Sequence, residues 1–357
     1  MNDDTNDPRT TLRTAAQLVA HQFIAGDMLD QIEAVSRKYA IALSSQIHRL
    51  IEPGNGADPI AAQFIPTAAE LVTSSDELED PIADDAHSPT AGIVHRYPDR
   101  VLLKPVHVCA VYCRFCFRRE MVGPGGESLD EADMAKALEY IASRPEIWEV
   151  VITGGDPLIL SPRRLRAIMQ RLDTIPHVGV VRFHSRIPVA KPETVTRDLL
   201  DALKINKAVY IVLHTNHVRE LSQEARLACA RFIDAGFPML SQTVLLRGVN
   251  ADAKILEQLF RALVAMRIKP YYLHHGDLAK GTQHFRTSIA AGQRLMHELR
   301  GTVSGLCQPT YVLDIPGGHG KVPIGPEYLR LREDGAYRVV DYRGESHTYR
   351  DSVYDAD

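Results

Sequence analysis

The sequence has few cysteines, little net charge and no long apolar run. Its 357 residues include five cysteines and set 41 basic residues against 45 acidic ones, a net charge of −4. This balance lacks the electrostatic footprint of a protein that binds nucleic acid or an anionic membrane. No stretch approaches the roughly 18 apolar residues of a membrane-spanning helix, and the polar start MNDDTNDPRTT is unlike a signal peptide. We therefore expect a cytoplasmic protein.

The five cysteines are poorly arranged for a disulfide framework. Cys109, Cys113 and Cys116 lie close together, whereas Cys229 and Cys307 stand alone. In a reducing compartment, clustered thiols more often bind metal or take part in redox chemistry than form disulfides. The cluster is therefore the first candidate for a functional site.

From about residue 100 onward, short β-rich runs alternate with amphipathic helical stretches. Six such units begin with VLLKPV (101–106) and end with KPYYLHH (269–275) and the helical stretch 288–300. Strands in series joined by helices form a parallel sheet with right-handed crossovers. Polar signatures follow almost every strand at its carboxyl end, where barrels collect their active sites. The pattern predicts an α/β barrel or part-barrel rather than a doubly wound sheet.

The flanking regions differ from this core. Residues 9–51 show apolar positions at helical spacing, which predicts a helical extension. Residues 52–92 are acidic and interrupted by prolines, as in an irregular segment that crosses a neighbouring domain or serves as a lid. We divide the chain into an extension (1–92), a core (93–306) and a C-terminal segment (307–357).

The cluster CAVYCRFC (109–116) has the spacing C-x3-C-x2-C. Ferredoxin sites use four thiolates, so three can hold three irons of a [4Fe–4S] cube and leave one iron open to a small molecule. A zinc ion would need a fourth ligand, and only His107 is nearby. Cysteines that are merely buried in a core would not lie among three arginines. An iron–sulfur cluster is the favoured interpretation, ahead of a zinc-binding module.

The cysteine spacing resembles the signature of the radical SAM superfamily. The longer run HRYPDRVLLKPVHVCAVYCRFCFRRE (95–120) is similar to the lysine 2,3-aminomutase family, and the resemblance extends from about residue 90 to 325. It implies a partial (β/α)6 barrel of the TIM type. It also implies a [4Fe–4S] cluster on Cys109, Cys113 and Cys116, with S-adenosylmethionine and pyridoxal 5′-phosphate as further cofactors.

Polar groups after the later strands are the expected S-adenosylmethionine pocket. In TGGDP (153–157), adjacent glycines would let the backbone approach a ligand closely, and the segment resembles the one that contacts the ligand's amino group in the family. A turn of this kind is ordinary when it stands alone, as are polar residues at strand ends. By resemblance, the pocket residues are Gly154, Gly155, Asp156, His184, Ser185, Arg186, His214 and Gln242.

The glycine-rich segment IPGGHGK (315–321) ends in a lysine. A phosphate-binding P-loop requires G-x4-G-K-[ST], and neither its first glycine nor its final hydroxyl residue is present. The alternative is an amine that condenses with an aldehyde such as pyridoxal phosphate. The family places its pyridoxal-phosphate lysine in such a segment, which implies Lys321. By the same resemblance, Arg96, Tyr97 and Arg100 hold the cofactor.

Charge is expected to select the substrate. The resemblance implies that Arg118 binds an amino acid carboxylate and that Asp277 and Asp314 bind the side-chain ammonium of lysine. Relatives that act on glutamate are expected to replace these acids. The implied reaction is an isomerisation of L-lysine to β-lysine by 1,2-migration of the amino group, driven by an electron donor such as flavodoxin or ferredoxin.

Other interpretations stay open. Full-length family members carry C-terminal cysteines that bind zinc and join subunits, whereas this chain ends SHTYRDSVYDAD, so that zinc site is not expected. Assembly into a homo-oligomer is left open. The shorter form is similar to a branch that modifies translation elongation factor P, although that branch tends to lose the acidic substrate residues. A related amino acid aminomutase and a non-catalytic iron–sulfur protein are the remaining alternatives.

Overall fold

A computed structural model describes residues 10–122 and 128–351, with a nine-stranded sheet at its centre. The strands follow one another across the sheet in chain order. Neighbours from the second to the eighth strand are parallel, and the first and ninth lie antiparallel at the edges. The sheet curls into a half-barrel, so the predicted α/β part-barrel is confirmed. The strands are β1 (Ile93–Tyr97), β2 (Arg100–Val106), β3 (Glu149–Gly154), β4 (Val180–Ser185), β5 (Ala208–His214), β6 (Met239–Val244), β7 (Ile268–His274), β8 (Thr310–Asp314) and β9 (Lys321–Pro323).

Six of the helices return the chain between the parallel strands, and all six predicted strand–helix units are present. Their apolar faces pack with the strands into one large hydrophobic core. The helix before β5 begins at Arg197, because Pro192 opens a short 3-10 turn and the Thr196 side chain caps the helix that follows. The helices are α1 (Ala15–Ala20), α2 (Leu29–Ser36), α3 (Ser45–His48), α4 (Pro59–Phe64), α5 (Glu131–Ala142), α6 (Pro162–Asp173), α7 (Ile187–Ala190), α8 (Arg197–Leu203), α9 (Gln223–Asp234), α10 (Ala253–Ala265) and α11 (Ile289–Thr302).

The N-terminal extension is less helical than its periodicity predicts. It contains the short helices α1, α2 and α3, joined by turns, and Leu12 bridges to Leu43 in an isolated β-pair. Its apolar residues form a second core that includes Val111 of the cysteine loop. The Tyr112 amide donates a hydrogen bond to the Ala42 carbonyl at 2.8 Å. The extension therefore supports the loop that carries the three cysteines.

The C-terminal part adds a hairpin and a small sheet that sequence analysis did not predict. The sheet is antiparallel and largely exposed. The two isolated cysteines, Cys229 and Cys307, are buried in the main core. No helix in the described ranges is long and apolar enough to cross a membrane. The division of the chain at residues 92 and 306 stays a prediction. The strands are β10 (Leu329–Leu331), β11 (Tyr337–Val340) and β12 (Ser346–Tyr349).

Candidate active site

A cavity of about 800 Å³ runs along the inner face of the half-barrel. Its size is typical of cofactor and ligand pockets. The structure brings every predicted site residue to the lining of this one cavity, although the residues come from segments more than 200 positions apart. They are Arg96, Tyr97, Arg100, Cys109, Cys113, Cys116, Arg118, Gly154, Gly155, Asp156, His184, Ser185, Arg186, His214, Gln242, Asp277, Asp314 and Lys321.

The three clustered thiols lie in the loop between β2 and α5. Among the described residues, the only set of His, Cys, Asp and Glu side chains close enough to share one ion is Asp341, Glu345 and His347, on the exposed C-terminal sheet. The three cysteine thiols do not form such a set. Three thiolates on one loop suit a cluster in which each binds its own iron.

Burial raises the pKa of all three cysteine thiols, that of Cys113 to about 11. A thiolate is costly in such surroundings unless a cation compensates it, and a bound metal deprotonates its thiol ligands. The donor set thus fits an iron–sulfur cluster.

The glycines of TGGDP are required for packing. Gly154 has a φ of +108°, and a Cβ there would lie 2.7 Å from the carbonyl oxygen of Val106. A Cβ on Gly155 would overlap the backbone of Val108. The pair lets β3 pass close to the start of the cysteine loop, and it lines the cavity as a result of that approach.

Asp156 organises the neighbouring loop. Its buried carboxylate accepts hydrogen bonds from the Ser185 hydroxyl at 2.7 Å and from the backbone amides of Arg186 at 2.6 Å and Ile187 at 3.1 Å. Burial raises the pKa of Asp156, and these donors oppose the rise. Asp156 and Ser185 therefore hold the end of β4 and the start of α7 in place.

Lys321 stands at the start of β9, directly opposite Asp314 on β8. The turn between the two strands contains three glycines with φ between +80° and +92°, a region that other residues rarely adopt. The Tyr97 hydroxyl accepts a hydrogen bond from the Lys321 amide at 2.7 Å. The PGGHG sequence thus builds a tight hairpin that points the lysine into the cavity.

The Lys321 ammonium is part of a partly buried network. It donates a hydrogen bond to Asp314 Oδ2 and lies 3.4 Å from His274 Nδ1. His274 Nδ1 is also 3.4 Å from Asp314 Oδ2. Burial alone would raise the pKa of Asp314, but the interactions with His274 and Lys321 lower it below its usual value. His274 was not among the predicted site residues, although it is the next-to-last residue of the strand-like run KPYYLHH and ends β7.

Asp277 lies in the same cavity without a cation of its own. No hydrogen bond or ion pair in the described part of the chain joins its carboxylate to a lysine or arginine. Burial, followed by the charge of Asp314, raises the pKa of Asp277 to about 7. The charges of Lys321, Arg118 and Arg96 oppose this rise. Asp277 has no cation bonded to it in the described contacts, so it can accept one from a ligand.

Replacing Asp277 by asparagine should make stability less dependent on pH. The unfolded aspartate ionises near its usual pKa, whereas the folded one ionises near 7, so the folded protein holds an extra proton between pH 4 and 7. Wild-type stability should fall over this range relative to Asp277→Asn. We expect the gap in free energy of unfolding to reach a few kcal/mol and to level off above pH 7. Denaturant titrations across pH test this, and a constant gap would contradict it.

Asp84 joins two of the predicted ligand-binding arginines. Its buried carboxylate accepts from Arg118 Nε at 2.8 Å and from Arg96 Nη2 at 3.3 Å, and the Lys104 ammonium lies 3.8 Å away. Arg100 instead stacks over the Tyr97 ring at 3.7 Å. Three cations therefore surround one carboxylate, which leaves an excess of positive charge for anionic ligand groups.

Two more acids of the same segment bind arginines around the cavity. Glu70 pairs with Arg114 at 2.5 Å and with Arg119, and all three side chains are almost fully buried. Glu77 pairs with Arg286 at 2.6 Å. We call residues 68–85 the acidic strap. Sequence analysis noted its acids and prolines but did not connect them with the arginines near the cysteines.

Several buried nitrogens along the cavity have no partner among the described residues. They include Nε2 of His184, His214 and His274 and Nε of Arg96. Burial lowers the pKa of all three histidines, so each ring is neutral near pH 7 and can exchange hydrogen bonds with a ligand. Buried polar groups are normally satisfied. The lining thus fits polar cofactors.

Comparison with known proteins agrees with this site. Residues 103–259 match the model of the radical SAM superfamily, and residues 296–352 match the lysine-2,3-aminomutase model. The L-lysine 2,3-aminomutase of Clostridium subterminale is 37% identical over 345 residues, which cover 97% of this chain and 83% of that protein. The chain belongs to the lysine 2,3-aminomutase family.

Two further members of the lysine 2,3-aminomutase family are similar to the chain. The L-lysine 2,3-aminomutase of Acetoanaerobium sticklandii is 39% identical over 309 residues, covering 87% of this chain and 75% of that protein. The glutamate 2,3-aminomutase of Clostridioides difficile is 38% identical over 300 residues, covering 84% and 71%. Relatives with nearly the same sequence identity to this chain are thus named for different amino acids. Sequence identity alone therefore does not show which amino acid is the substrate.

Membership of the lysine 2,3-aminomutase family makes the chain a radical SAM isomerase. The cofactors of the family are a [4Fe–4S] cluster, S-adenosylmethionine and pyridoxal 5′-phosphate. The cavity contains three thiols, unpartnered polar nitrogens and an amine on a glycine hairpin, which fit these three groups in turn. The chain is therefore not a non-catalytic iron–sulfur protein, because an electron carrier would not need the glycine hairpin that carries Lys321.

Proposed function

We propose that the protein interconverts L-lysine and β-lysine by moving an amino group between neighbouring carbons. The observation that carries the proposal is the pair of partly buried acids, Asp277 and Asp314, in one cavity with a single protein ammonium. A second ammonium, on the substrate side chain, would balance the second acid. A glutamate side chain would instead bring a third carboxylate into the same space, at a high cost in free energy.

The residues that would hold the cofactors and substrate follow from their places in the cavity. Cys109, Cys113 and Cys116 would bind the cluster, Lys321 would bind the pyridoxal aldehyde, and Arg118 would bind the substrate carboxylate. When bound, the cluster and S-adenosylmethionine supply a radical that removes hydrogen, and pyridoxal phosphate supplies an aromatic ring to the migrating nitrogen. The chain orients these groups and keeps water away from them.

His274 and Asp314 would control the protonation of the Lys321 amine. An amine must lose its proton before it can attack an aldehyde. Nδ1 of His274 lies 3.4 Å from the Lys321 ammonium, and in the neutral tautomer that leaves Nδ1 unprotonated it can accept that proton. Asp314 holds the ammonium in place until then. The network therefore supports Lys321 as the attachment point.

The direct test is incubation of the reconstituted protein with lysine, S-adenosylmethionine, pyridoxal phosphate and a reductant under argon. We expect β-lysine, detected by chromatography. Glutamate should give no product, and Asp277→Asn should raise KM for lysine at least tenfold, because it removes the charge that balances the second ammonium. Isomerisation of another amino acid in place of lysine would contradict the substrate and leave the reaction class intact.

The surroundings of the enzyme follow from the same proposal. A flavodoxin or ferredoxin would deliver the electron to the cluster, because the reaction needs a one-electron donor. A reducing cytoplasm would keep the three thiols available for iron. The electron donor is tested by reduction of the cluster with purified flavodoxin, monitored by loss of its visible absorbance.

A further inference from the structure

A buried arginine contacts one of the three clustered thiols. Arg186 follows β4, and its Nη1 donates a hydrogen bond to Cys113 Sγ at 3.3 Å. Its Nη2 donates to Glu220 Oε2 at 2.5 Å and to Gln63 Oε1 at 2.6 Å. One guanidinium thus joins the cysteine loop, α4 and the turn after β5.

The Arg186 charge is held in one position. The guanidinium lies over the ring of Phe64 at 4.7 Å, and its backbone amide is bound by Asp156. Arg186 is 6% exposed and Glu220 is fully buried. Charges that are shielded from water are poorly screened by salt, so the field of this pair acts on the thiol at nearly full strength.

The other two thiols lack such a partner in the described contacts. The hydrogen bonds that lower the pKa of Cys109 and Cys116 come from the backbone amides of Asp156 and Arg118. Cys113 receives its hydrogen bond from a charged side chain. The charges of Arg118 and Arg119 also act on Cys116, but Cys113 is the thiol that accepts a hydrogen bond from a charged side chain in the described contacts.

Reduction adds one negative charge to an iron–sulfur cluster. A cation and a hydrogen bond at a ligating sulfur stabilise the more negative state and raise the reduction potential. The Glu220 carboxylate opposes part of that effect because it lies against the same guanidinium. The two side chains therefore act on the cluster with opposite signs.

We propose that Arg186 and Glu220 form a fixed charge pair that sets the reduction potential of the cluster bound by Cys109, Cys113 and Cys116. This rests on the proposed function, which assigns the cluster to those thiols. Both are positioning residues. Arg186 acts through the thiol of Cys113, and Glu220 acts through Arg186.

Redox titration of the reconstituted protein, followed by electron paramagnetic resonance, tests the pair. In Arg186→Gln the equilibrium constant for cluster reduction should fall about tenfold, a shift of ~59 mV to lower potential for one electron. In Glu220→Gln the potential should move in the opposite direction. A merely structural role would not produce shifts of opposite sign.

Arg182→Gln is the matched control. Arg182 is on β4, four residues before Arg186, and among the described contacts its guanidinium pairs with Glu149 at 3.0 Å and with no cysteine. Its potential should equal that of the wild type. If Glu220→Gln does not fold, Arg186→Lys replaces it: a retained charge should leave the potential between those of wild type and Arg186→Gln.

Equal potentials in the wild type and Arg186→Gln, or shifts of the same sign in Arg186→Gln and Glu220→Gln, would overturn the charge pair. Failure of the wild-type protein to retain iron and sulfide would instead overturn the proposed function. The iron and sulfide assay is therefore made first, on every variant.

Discussion

Replacing Lys321 by alanine should abolish the covalent attachment of pyridoxal phosphate. The lysine stands on a glycine hairpin, opposite Asp314 and beside His274, and its amide is held by Tyr97. The amine is therefore both positioned for attack on an aldehyde and close to groups that hold and accept its proton. Borohydride reduction followed by peptide mass spectrometry should place the cofactor on Lys321 in the wild type and on no residue in the variant.

The matched control for this experiment is Lys269→Ala. Lys269 lies at the start of β7, and its ammonium donates hydrogen bonds to the Leu306 and Gln308 carbonyls. It should retain full labelling because it is remote from the glycine hairpin. A Lys321→Ala protein that still carried reduced cofactor would show that another amine binds it.

Replacing Glu70 by glutamine should lower the free energy of unfolding by about 3–5 kcal/mol, the range seen when one partner of a buried ion pair is removed. Glu70 is the shared anion of Arg114 and Arg119, which are both almost fully buried. Its loss leaves two guanidinium groups without a counter-charge in surroundings of low dielectric constant. Denaturant titration of the wild type and the variant, followed by circular dichroism, measures the difference.

The control for Glu70 is the exposed pair of Glu79 and Lys280, which are joined at 2.7 Å in the same part of the chain. Glu79→Gln should change stability very little, because water screens the charges of an exposed pair. Equal effects of the two substitutions would show that burial of the Glu70 network contributes nothing.

The barrel could be predicted because its signals are local. Each strand is a short apolar run, and each is followed by a helix with its own periodicity and cap. The extension of residues 9–51 was harder, since apolar spacing alone does not reveal the turns that divide it into α1, α2 and α3. The small C-terminal sheet was missed because β10 and β12 are exposed on both faces and lack the alternation of a half-buried strand.

The cavity residues could be predicted where they belong to compact motifs. The cysteine loop, the paired glycines and Lys321 are each recognisable within a few positions. Glu70, Asp84, Glu220 and His274 were missed, because their roles come from partners far away in the sequence. In the sequence, a buried acid in a proline-rich segment looks the same as an exposed acid. The two can be told apart only when the arginine that pairs with the buried acid is known. Two features of the sequence could have indicated these ion pairs. They are the acids of the strap and the arginines that lie among the cysteines without a nearby acid.

The acidic strap has a consequence for the order of folding during synthesis. Glu77 can form its ion pair only after Arg286 has been synthesised, 209 residues further along the chain. Leu78 likewise forms an isolated β-bridge with the distant Ala279. Contacts that close such long loops form late, after local structure has gathered. The strands that precede residue 286 can therefore assemble while the strap is still loose. The strap is therefore among the last segments of the N-terminal part to be fixed, after the strands β1 to β7 have been synthesised.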